Sequence, residues 1–229
     1  MNVQIPLALR WPAHQRFESF VAGPNVAGVN ILCNASNTGE PSSVFLAGPT
    51  GSGKTHLLIA ACAQASAQSR SAQYMDLAAF AAQRSESIRR FGGSELLAID
   101  NVQQIAGEHD AEHALFDLHN RCRADGAILV FAANDQAGAL GLELPDLVSR
   151  LSACTQIVLR PLDEATRRQI VRDLASVRGL EFDDAVLDWL FTRKVRDMGS
   201  LVAQLDRIDR ATLAAQRRVT VPFLRSLSD

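Results

Sequence analysis

Residues 48–55 place three glycines, a lysine and a threonine at a spacing that suits the binding of an anion. The segment reads Gly48-Pro49-Thr50-Gly51-Ser52-Gly53-Lys54-Thr55 and matches G-x-x-x-x-G-K-[ST] at every fixed position. The glycines let backbone N–H groups turn toward a phosphate, Lys54 reaches the terminal phosphates, and the Thr55 hydroxyl can ligate magnesium. The pattern predicts a nucleotide, ADP or ATP, bound together with Mg²⁺.

The flanking sequence supports this interpretation over a glycine-rich turn with a chance lysine. Residues 44–47 form an apolar run typical of a buried strand, and residues 56–66 are rich in Ala and Leu, as in a helix. Lys54 and Lys194 are the only lysines among 23 basic residues. A lysine therefore stands at position 54 in a chain that otherwise uses arginine.

Two further polar positions follow apolar strands. Residues 96–100 end in Asp100, a carboxylate that can hold Mg²⁺ opposite the phosphate loop, together with Thr55. Asn101 stands where a hydrolytic site of this kind has a second acid, and a carboxamide takes no proton from water, so slow intrinsic hydrolysis is expected. Asn134 follows the strand at 127–133 and is predicted to contact the γ-phosphate or the attacking water. The alternative for Asn134 is a cap of the turn that it forms with Asp135.

Length, composition and charge limit the other classes of function that the protein can have. The chain has 229 residues, 47% hydrophobic, which suits one large domain or a core with a small appendage. A net charge of −2 gives no global reason for direct binding to nucleic acid. The longest apolar run, residues 127–133, is too short to span a bilayer, and no export signal begins the chain. We expect a cytoplasmic protein that does not bind membranes.

Neither the cysteines nor the histidines form a convincing metal site. Four cysteines without C-x-x-C spacing are expected to be reduced thiols, at Cys33, Cys62, Cys122 and Cys154. His109, Glu112 and His113 match H-x-x-E-H, a zinc-binding pattern. No third ligand is evident, so polar residues in the first turns of an ordinary helix are the favoured interpretation.

Strand and helix patterns alternate through the first two thirds of the chain. Strands are predicted at 44–47, 71–77, 95–100 and 127–133, and helices at 56–66, 78–91 and 110–124. Such alternation predicts an α/β fold whose parallel sheet carries helices on both faces. Residues 35–43 are predicted to form an exposed loop.

Only helical patterns follow residue 161, at 164–177, 183–194 and 200–216. They predict a small all-α lid after the α/β core, with Leu201, Leu205 and Ile208 on one buried helix face. Thr220-Val221-Pro222 is a plausible cap for a last short helix. The predicted organisation is an N-terminal peptide and arm at 1–15, a nucleotide-binding core at 16–160 and the lid at 161–229.

Together these segments resemble the AAA+ ATPases, and among them the DnaA-related branch. Residues 17–25 (Phe-Glu-Ser-Phe-Val-Ala-Gly-Pro-Asn) are similar to the segment that encloses adenine in that branch, which implies nucleotide contacts for Phe20 and Val21. Residues 53–58 resemble the DnaA form of the phosphate loop and add His56. Residues 146–151 resemble the segment that carries an arginine finger, at Arg150. The similarity extends over residues 17–227.

Within this branch the chain resembles the Hda family of regulators. It ends after the lid, where an initiator continues into a helix-turn-helix domain, and it begins without the initiator's N-terminal domain. The resemblance implies that the protein binds the DNA-loaded sliding clamp and stimulates hydrolysis of the ATP held by the initiator DnaA. Arg150 would act in trans at that ATP. The alternative for Arg150 is a surface arginine that caps a helix end.

The first residues agree with this resemblance. Residues 4–9 fit the Q-x-x-L-x-L pattern of peptides that dock on the bacterial DNA polymerase sliding clamp, with Gln4, Ile5, Leu7 and Leu9 as contacts. An N-terminal strand or arm packed on its own core is the alternative. The hexapeptide alone does not separate the two, and the DnaA-like core favours clamp binding. DNA would then be contacted only through the clamp, and the protein could self-associate.

One lid position departs from the family pattern. Gly199 stands where the family usually has a sensor arginine, and glycine offers no side chain to phosphate. Either Arg196 replaces it, or the nucleotide does not close the lid through this contact. The resemblance also implies that the chain's own site holds ADP as a structural ligand, with weak intrinsic ATPase activity.

Three other functions stay open from the sequence. A DnaC-like helicase loader would share the core but carry a helicase-binding N-terminal region. A self-contained ATPase would turn over ATP alone, which Asn101 argues against. A purely structural adaptor would keep its function in Arg150→Ala.

Overall fold

The structure is a computed structural model that describes residues 11–12, 14–40, 42–192, 198–215 and 219–227. The predicted clamp contacts Gln4, Ile5, Leu7 and Leu9 lie outside these residues. The chain divides into two compact units. The first, here called the core, consists of Lys54–Leu159 and the described residues that precede Pro49. The second, here called the lid unit, consists of Pro49–Gly53 and the described residues from Arg160 onward.

The core is built on a sheet of five parallel strands in the order β2-β3-β4-β1-β5. The strands are β1 Ser43–Ala47, β2 Ala72–Asp76, β3 Leu96–Asp100, β4 Ile128–Ala133 and β5 Thr155–Val158. Because all strands are parallel, their last residues lie along one edge of the sheet, called the carboxyl edge below, and their first residues lie along the amino edge. The prediction of an α/β fold with a parallel sheet is confirmed.

Helices connect the strands and form the lid unit. The core helices are α1 Val26–Thr38, α2 Lys54–Ala67, α3 Arg84–Arg90, α4 His109–Ala124 and α5 Pro145–Ser152. Short 3₁₀ helices occur at Gly23–Asn25, Leu77–Phe80, Val102–Ile105 and Ala137–Ala139. The lid unit contains α6 Glu164–Val177, α7 Asp184–Thr192, α8 Met198–Ala215 and α9 Val221–Ser226. No helix in the described residues is both long enough and apolar enough to span a membrane.

Alternation along β1 explains how the sheet buries both faces. Phe45 and Ala47 belong to one hydrophobic cluster, which α4 and α5 cover. Val44 and Leu46 point to the opposite face and belong to the cluster that α1 and α2 cover. Successive side chains of a strand point to opposite faces, so a run that is apolar throughout suits a sheet with helices on both sides.

The lid unit has its own hydrophobic cluster. Leu201, Leu205 and Ile208 are each only 2% exposed and lie on one face of α8, as their spacing predicts. Thr220 caps α9, where its Oγ1 accepts a hydrogen bond from the Phe223 N–H at 3.4 Å. The predicted cap and last short helix are therefore confirmed.

The predicted loop at residues 35–43 is wrong in its first half. Helix α1 continues through Thr38, and both Ala35 and Ser36 are fully buried. The Ser36 hydroxyl donates to Leu32 O within the helix at 2.8 Å, which satisfies it without solvent. Polar composition indicated a loop because it does not reveal that one face of α1 packs on the sheet.

Three other elements differ from the sequence prediction. Helix α1 and strand β5 were not predicted, and β5 is only 4 residues long. The helix predicted at 78–91 is interrupted, because a 3₁₀ helix at Leu77–Phe80 ends before α3 begins at Arg84. The Asp76 carboxylate accepts the Ala78 N–H at 2.9 Å and so starts this short turn directly after β2.

Candidate nucleotide-binding site

The predicted phosphate loop connects the carboxyl end of β1 to the start of α2. The Gly48 N–H donates to Ala133 O at 3.2 Å, which fixes the beginning of the loop beside the end of β4. Gly51 and Gly53 have φ values of 81° and 95°, a left-handed backbone that residues with a Cβ rarely adopt. The glycines are therefore required by the shape of the loop. Pro49 and Thr50 are exposed within it.

The Lys54 ammonium is folded back onto Gly48, the first residue of the loop. It is 8% exposed and donates to Gly48 O at 2.7 Å. Burial lowers the pKa of Lys54, and the nearby charge of Asp100 opposes that shift. Ser52 Oγ is buried and, among the described residues, has no hydrogen-bond partner. A buried ammonium at the start of α2 is the kind of donor that a polyphosphate requires.

Asp100 lies at the carboxyl end of β3, 1% exposed, and accepts three hydrogen bonds. Its Oδ2 accepts from the Thr55 hydroxyl at 2.5 Å and from the Tyr74 phenol at 3.1 Å, and its Oδ1 accepts from the Asn101 N–H at 2.8 Å. Burial raises the pKa of Asp100, and these hydrogen bonds oppose the shift. The structure thus brings Thr55 and Asp100 together, and their hard oxygen atoms fit Mg²⁺.

Tyr74 is a site residue that the sequence did not reveal. It lies on β2, which pairs with β3 so that Asp76 stands beside Asp100. Burial and the Asp100 charge raise the pKa of the Tyr74 phenol, which therefore stays protonated and donates. A tyrosine two residues before the polar end of a strand was the available signal. Its position in the sequence does not indicate a role in the site until the strand that pairs with β2 is known.

A chain of side-chain hydrogen bonds joins the ends of β2, β3 and β4. Asn101 adopts φ 59° and its Nδ2 donates to Asp76 Oδ1 at 2.7 Å. Gln103 Nε2 donates to Asn101 Oδ1 at 3.1 Å, while Gln103 Oε1 accepts from the Asn134 N–H at 3.3 Å. Gln103 thus connects the position after β3 to the position after β4. Sequence reasoning missed Gln103 because it lies in a 3₁₀ helix without a motif.

Asn134 lies at the exit of β4 with an exposed side chain. The turn that follows is made by its neighbour, since Asp135 Oδ1 accepts the Gln136 N–H at 2.8 Å. The Asn134 carboxamide is therefore placed at the carboxyl edge, near Gly48 and Asn101. Its contact with a γ-phosphate stays a prediction.

His56 and Phe20, which the resemblance assigned to the nucleotide, lie together. Their ring centroids are 5.2 Å apart in an edge-on arrangement. The His56 Nε2–H donates to Arg16 O at 2.9 Å, and burial is the main cause that lowers the pKa of His56. Val21 is 40% exposed, so the structure leaves it free to contact a ligand.

The N-terminal arm runs along α2. Trp11 Nε1 donates to Ser66 Oγ near the end of α2 at 2.9 Å, while Arg16 contacts His56 near its beginning. Trp11, Phe17 and Phe20 pack against the cluster below α1 and α2. Trp11 and Arg16 therefore hold this part of the chain against the two ends of α2.

The histidines of the H-x-x-E-H pattern do not form a metal site with Glu112. Glu112 is 1% exposed, and its carboxylate accepts the backbone N–H groups of Gly107, Glu143 and Leu144 at 2.7 to 3.1 Å. The His109 and His113 rings lie 4.3 Å apart at the start of α4. In the part of the chain that the structure describes, no group of three His, Cys, Asp or Glu side chains could hold a metal ion. Glu112 is a structural anchor, which the sequence did not indicate.

Arg150 lies apart from the residues above. It occupies the last turn of α5 and is exposed. Helix α5 follows the carboxyl end of β4 and leads into β5, whose first residue pairs with Val44 at the start of β1. Arg150 therefore lies toward the amino edge. Gly199 is exposed in the first turn of α8, and Arg196 lies outside the described residues.

The strand order, the loop between β1 and α2 and the acid at the end of β3 together define a P-loop protein of the AAA+ class, followed by a helical lid. The family model "Bacterial DnaA ATPAse domain" matches residues 12–157. The model "Hda, lid domain" matches residues 163–227. The chain belongs to the DnaA-related AAA+ family and carries a lid of the Hda type.

Known relatives agree with this assignment. An uncharacterized protein of Haemophilus influenzae is 32% identical over 228 residues, covering 99% of both chains. Domain III of the Thermotoga maritima replication initiation protein DnaA superposes with a TM-score of 0.76 at 22% identity, covering 95% of this chain and 97% of that one.

A replication initiator DnaA bound to AMPPCP and single-stranded DNA gives a TM-score of 0.71 at 22% identity. That match covers 86% of this chain and 65% of the initiator chain. At this identity the likeness concerns the fold. The prediction of a DnaA-related AAA+ core with a lid is confirmed.

Proposed function

We propose that this protein is a regulator of replication initiation of the Hda type. It binds the DNA-loaded sliding clamp through Gln4, Ile5, Leu7 and Leu9 and stimulates hydrolysis of ATP bound to the initiator DnaA through Arg150. The products are inactive ADP-initiator and phosphate. The family assignment and the lid of the Hda type support this proposal. DNA is contacted through the clamp, and the protein works in the cytoplasm at the nucleoid.

The position of Arg150 is the observation that carries the proposal. Among the described residues its side chain forms no hydrogen bond or ion pair, and it is exposed. Helix α5 has 8 residues, so about 12 Å separates its beginning at the carboxyl edge from its end. The Thr55 and Asp100 pair lies at the carboxyl edge of the same sheet. An exposed guanidinium at the opposite edge of the sheet from its own phosphate site suits a role at the nucleotide of another molecule.

The chain's own site is proposed to bind ADP or ATP with Mg²⁺. Gly48, Gly51, Gly53 and Lys54 would hold the phosphates, and Thr55 with Asp100 would hold the ion. The ion neutralises phosphate charge when bound. Phe20, Val21 and His56 would line the base, and Asn134 would face the terminal phosphate.

Weak intrinsic hydrolysis follows from the residue after Asp100. The Asn101 carboxamide accepts no proton from water, and its two ends are engaged by Asp76 and Gln103. Bound nucleotide then stabilises the core by mass action and does not need to turn over. In single-turnover measurements, the protein alone should hydrolyse its own bound ATP slowly. Hydrolysis of initiator-bound ATP in the presence of this protein and DNA-loaded clamp should be much faster.

The decisive experiment measures hydrolysis of initiator-bound ATP in the presence of DNA-loaded clamp. Arg150→Ala should reduce the stimulated rate by about 10³-fold or more, because an arginine finger stabilises charge in the transition state. Arg150→Lys should restore little, since a lysine lacks the planar fork. Ser149→Ala, an exposed change on the same helix, is the matched control. Full stimulation by Arg150→Ala would rule the finger out.

Clamp recruitment is measured separately by surface plasmon resonance. Wild type should bind the clamp, and Gln4→Ala should lose binding while its affinity for ADP stays unchanged. Gln4→Ala should also lose stimulation at low protein concentration. If wild type fails to bind the clamp, recruitment must occur by another route, whatever Arg150 does.

A further inference from the structure

The magnesium site proposed for this chain relies on one carboxylate, that of Asp100. In the part of the chain that the structure describes, no group of three His, Cys, Asp or Glu side chains could hold a metal ion. An ion beside Asp100 would therefore depend on the Thr55 hydroxyl, nucleotide oxygens and water for its other ligands. With so few protein ligands, the orientation of the Asp100 carboxylate matters for the affinity of the site.

Tyr74, Asp100 and Thr55 meet on the face of the sheet that α2 covers. Leu96 and Ala98 of β3 belong to the hydrophobic cluster on that face, and side chains alternate along a strand, so Asp100 lies on the same face. Tyr74 packs against this cluster from β2. Thr55 is in the first turn of α2. Two neighbouring strands and one helix therefore each contribute one side chain to this place.

Tyr74 reaches Asp100 from two residues further back along the sheet. In the register of β2 and β3, Tyr74 pairs with Ala98, while Asp76 pairs with Asp100. Two residues of a strand span about 6.6 Å, so only a long side chain at position 74 can extend to Asp100. The phenol does so, with its oxygen 3.1 Å from Asp100 Oδ2.

Three hydrogen bonds fix the rotation of the Asp100 carboxylate. Its Oδ2 accepts from the Tyr74 phenol and, at 2.5 Å, from the Thr55 hydroxyl. Its Oδ1 accepts from the Asn101 N–H at 2.8 Å. A carboxylate has about four lone-pair sites, so about one remains for the ion or for a water bound to the ion. Because Thr55 donates its proton to Asp100, the lone pairs of the Thr55 oxygen remain able to ligate the ion.

The neighbouring carboxylate on β2 is engaged by other groups. Asp76 Oδ1 accepts the Ala78 N–H at 2.9 Å and the Asn101 Nδ2–H at 2.7 Å. These bonds connect Asp76 to the turn after β2 and to the residue after β3. Among the described residues, Tyr74 is the side chain of β2 that hydrogen-bonds to Asp100.

We infer that Tyr74 is a positioning residue for Mg²⁺: its phenol holds the Asp100 carboxylate in the orientation in which Thr55 donates to it and can ligate the ion. The inference rests on the proposed binding of ADP with Mg²⁺ at this site. Groups that hydrogen-bond to metal-binding residues typically change metal affinity by about 10- to 100-fold when they are mutated. A tyrosine that only fills space would leave the affinity for the ion unchanged.

The test is a Mg²⁺ titration in which the affinity of the full chain for a fluorescent ADP analogue is measured. Tyr74→Phe should raise the half-effective Mg²⁺ concentration by about 10-fold, because the phenyl ring no longer holds the Asp100 carboxylate. In EDTA, where no Mg²⁺ is available, Tyr74→Phe should bind the analogue as wild type does. A role in folding alone would not produce this dependence on the ion.

Ser71→Ala is the matched control. The Ser71 hydroxyl also connects the β2 and β3 segments through a carboxylate, since it donates to Glu95 Oε2 at 3.2 Å. It directly precedes β2 and therefore lies at the amino edge of the sheet, opposite the phosphate loop. Ser71→Ala should leave the half-effective Mg²⁺ concentration unchanged.

Fluorine NMR gives a second readout. The chain contains one tyrosine, so incorporation of 3-fluorotyrosine gives a single ¹⁹F resonance that reports on Tyr74. Addition of Mg²⁺ to the labelled protein in the presence of ADP should shift this resonance, because a bound divalent cation is a large local charge beside the phenol. The resonance should shift in the same way in Ser71→Ala.

The possible outcomes separate the inference from the proposed site. An unchanged half-effective Mg²⁺ concentration in Tyr74→Phe, with ADP bound normally, would overturn the inference and leave the nucleotide site standing. An equal loss of ADP affinity with and without Mg²⁺ would assign Tyr74 a structural role only. An equal defect in Ser71→Ala would assign the effect to a loosened β2. Failure of wild type to bind ADP, or to respond to Mg²⁺, would reject the proposed site and the inference with it.

Discussion

The two edges of the core sheet use charged residues in opposite ways. At the carboxyl edge Lys54, Asp100 and Glu112 are buried, and each is hydrogen-bonded within the core. At the amino edge Arg89, Arg123 and Arg150 are exposed and unpaired among the described residues. Burial together with hydrogen bonds preorganises groups for a ligand that the chain itself holds. Exposed charged groups without partners in the described chain remain able to interact with another molecule.

The largest expected effect comes from removing the buried carboxylate at the carboxyl edge. Glu112→Ala leaves the N–H groups of Gly107, Glu143 and Leu144 without their acceptor, so the free energy of unfolding should fall by about 3 kcal/mol or more. Urea unfolding measures this loss in the free energy of unfolding. Glu143→Ala removes an exposed carboxylate nearby and should change stability by less than about 0.5 kcal/mol. Similar losses in both variants would contradict the contrast between buried and exposed charge.

Loss of the buried cation should act on binding rather than on folding. Lys54→Ala should weaken ADP binding by about 10- to 100-fold, the range expected when hydrogen bonds to a charged group are removed. Titration with a fluorescent ADP analogue measures the affinity. Arg89→Ala removes one positive charge from the amino edge and should bind ADP as wild type does. Normal ADP affinity in Lys54→Ala would show that the phosphates lie elsewhere.

A smaller effect is expected from the tyrosine that donates to Asp100. Tyr74→Phe keeps the ring but removes the hydroxyl, which should lower the free energy of unfolding by about 1.5 kcal/mol. A double-mutant cycle with Asp100→Asn isolates this hydrogen bond, because the two losses should not add. Strict additivity would mean that the phenol and the carboxylate do not interact in solution.

The smallest effect is a dependence of stability on pH that His56, which is half-buried, and His119, which is buried, cause. Burial lowers the pKa of His56 and of His119 below 6.5 in the folded chain. Between pH 6.5 and the lower pKa of the folded chain, the unfolded chain binds more protons than the folded chain does. This contribution to stability is therefore complete above 6.5 and is lost as pH falls from 6.5 through the folded pKa. Urea midpoints at several pH values should show a drop on acidification. The drop should be smaller in a variant that combines His56→Gln with His119→Gln.

Comparing the pH profiles of wild type and the double histidine variant separates the contribution of the two histidines from that of Asp100. The raised pKa of Asp100 acts with the opposite sign, since the folded chain then binds the additional proton. Asp100 is unchanged in the histidine variant, so its contribution cancels when the two pH profiles are subtracted. Identical profiles would show that neither histidine is held neutral by the fold.

Local sequence determined the parts of the site that lie within one motif. The order of glycines around Lys54 and Thr55 dictates a loop that opens backbone N–H groups to phosphate, and an apolar run that ends in Asp100 dictates a strand with an acid at its carboxyl end. The face of α8 that carries Leu201 and Leu205 was also predictable, because helix periodicity is itself local. The parallel sheet followed from alternation of strand and helix patterns.

Tertiary structure decided everything that depends on which strands are neighbours. Tyr74 meets Asp100 and Gln103 meets Asn134 only because β2, β3 and β4 pair in register, which no single segment encodes. The anchoring role of Glu112, the helix at Val26–Thr38 and the exposure of Arg150 at the amino edge likewise depend on packing between segments distant in sequence. Local patterns thus fix which groups can do chemistry, and long-range packing fixes which of them are buried together and which face a partner.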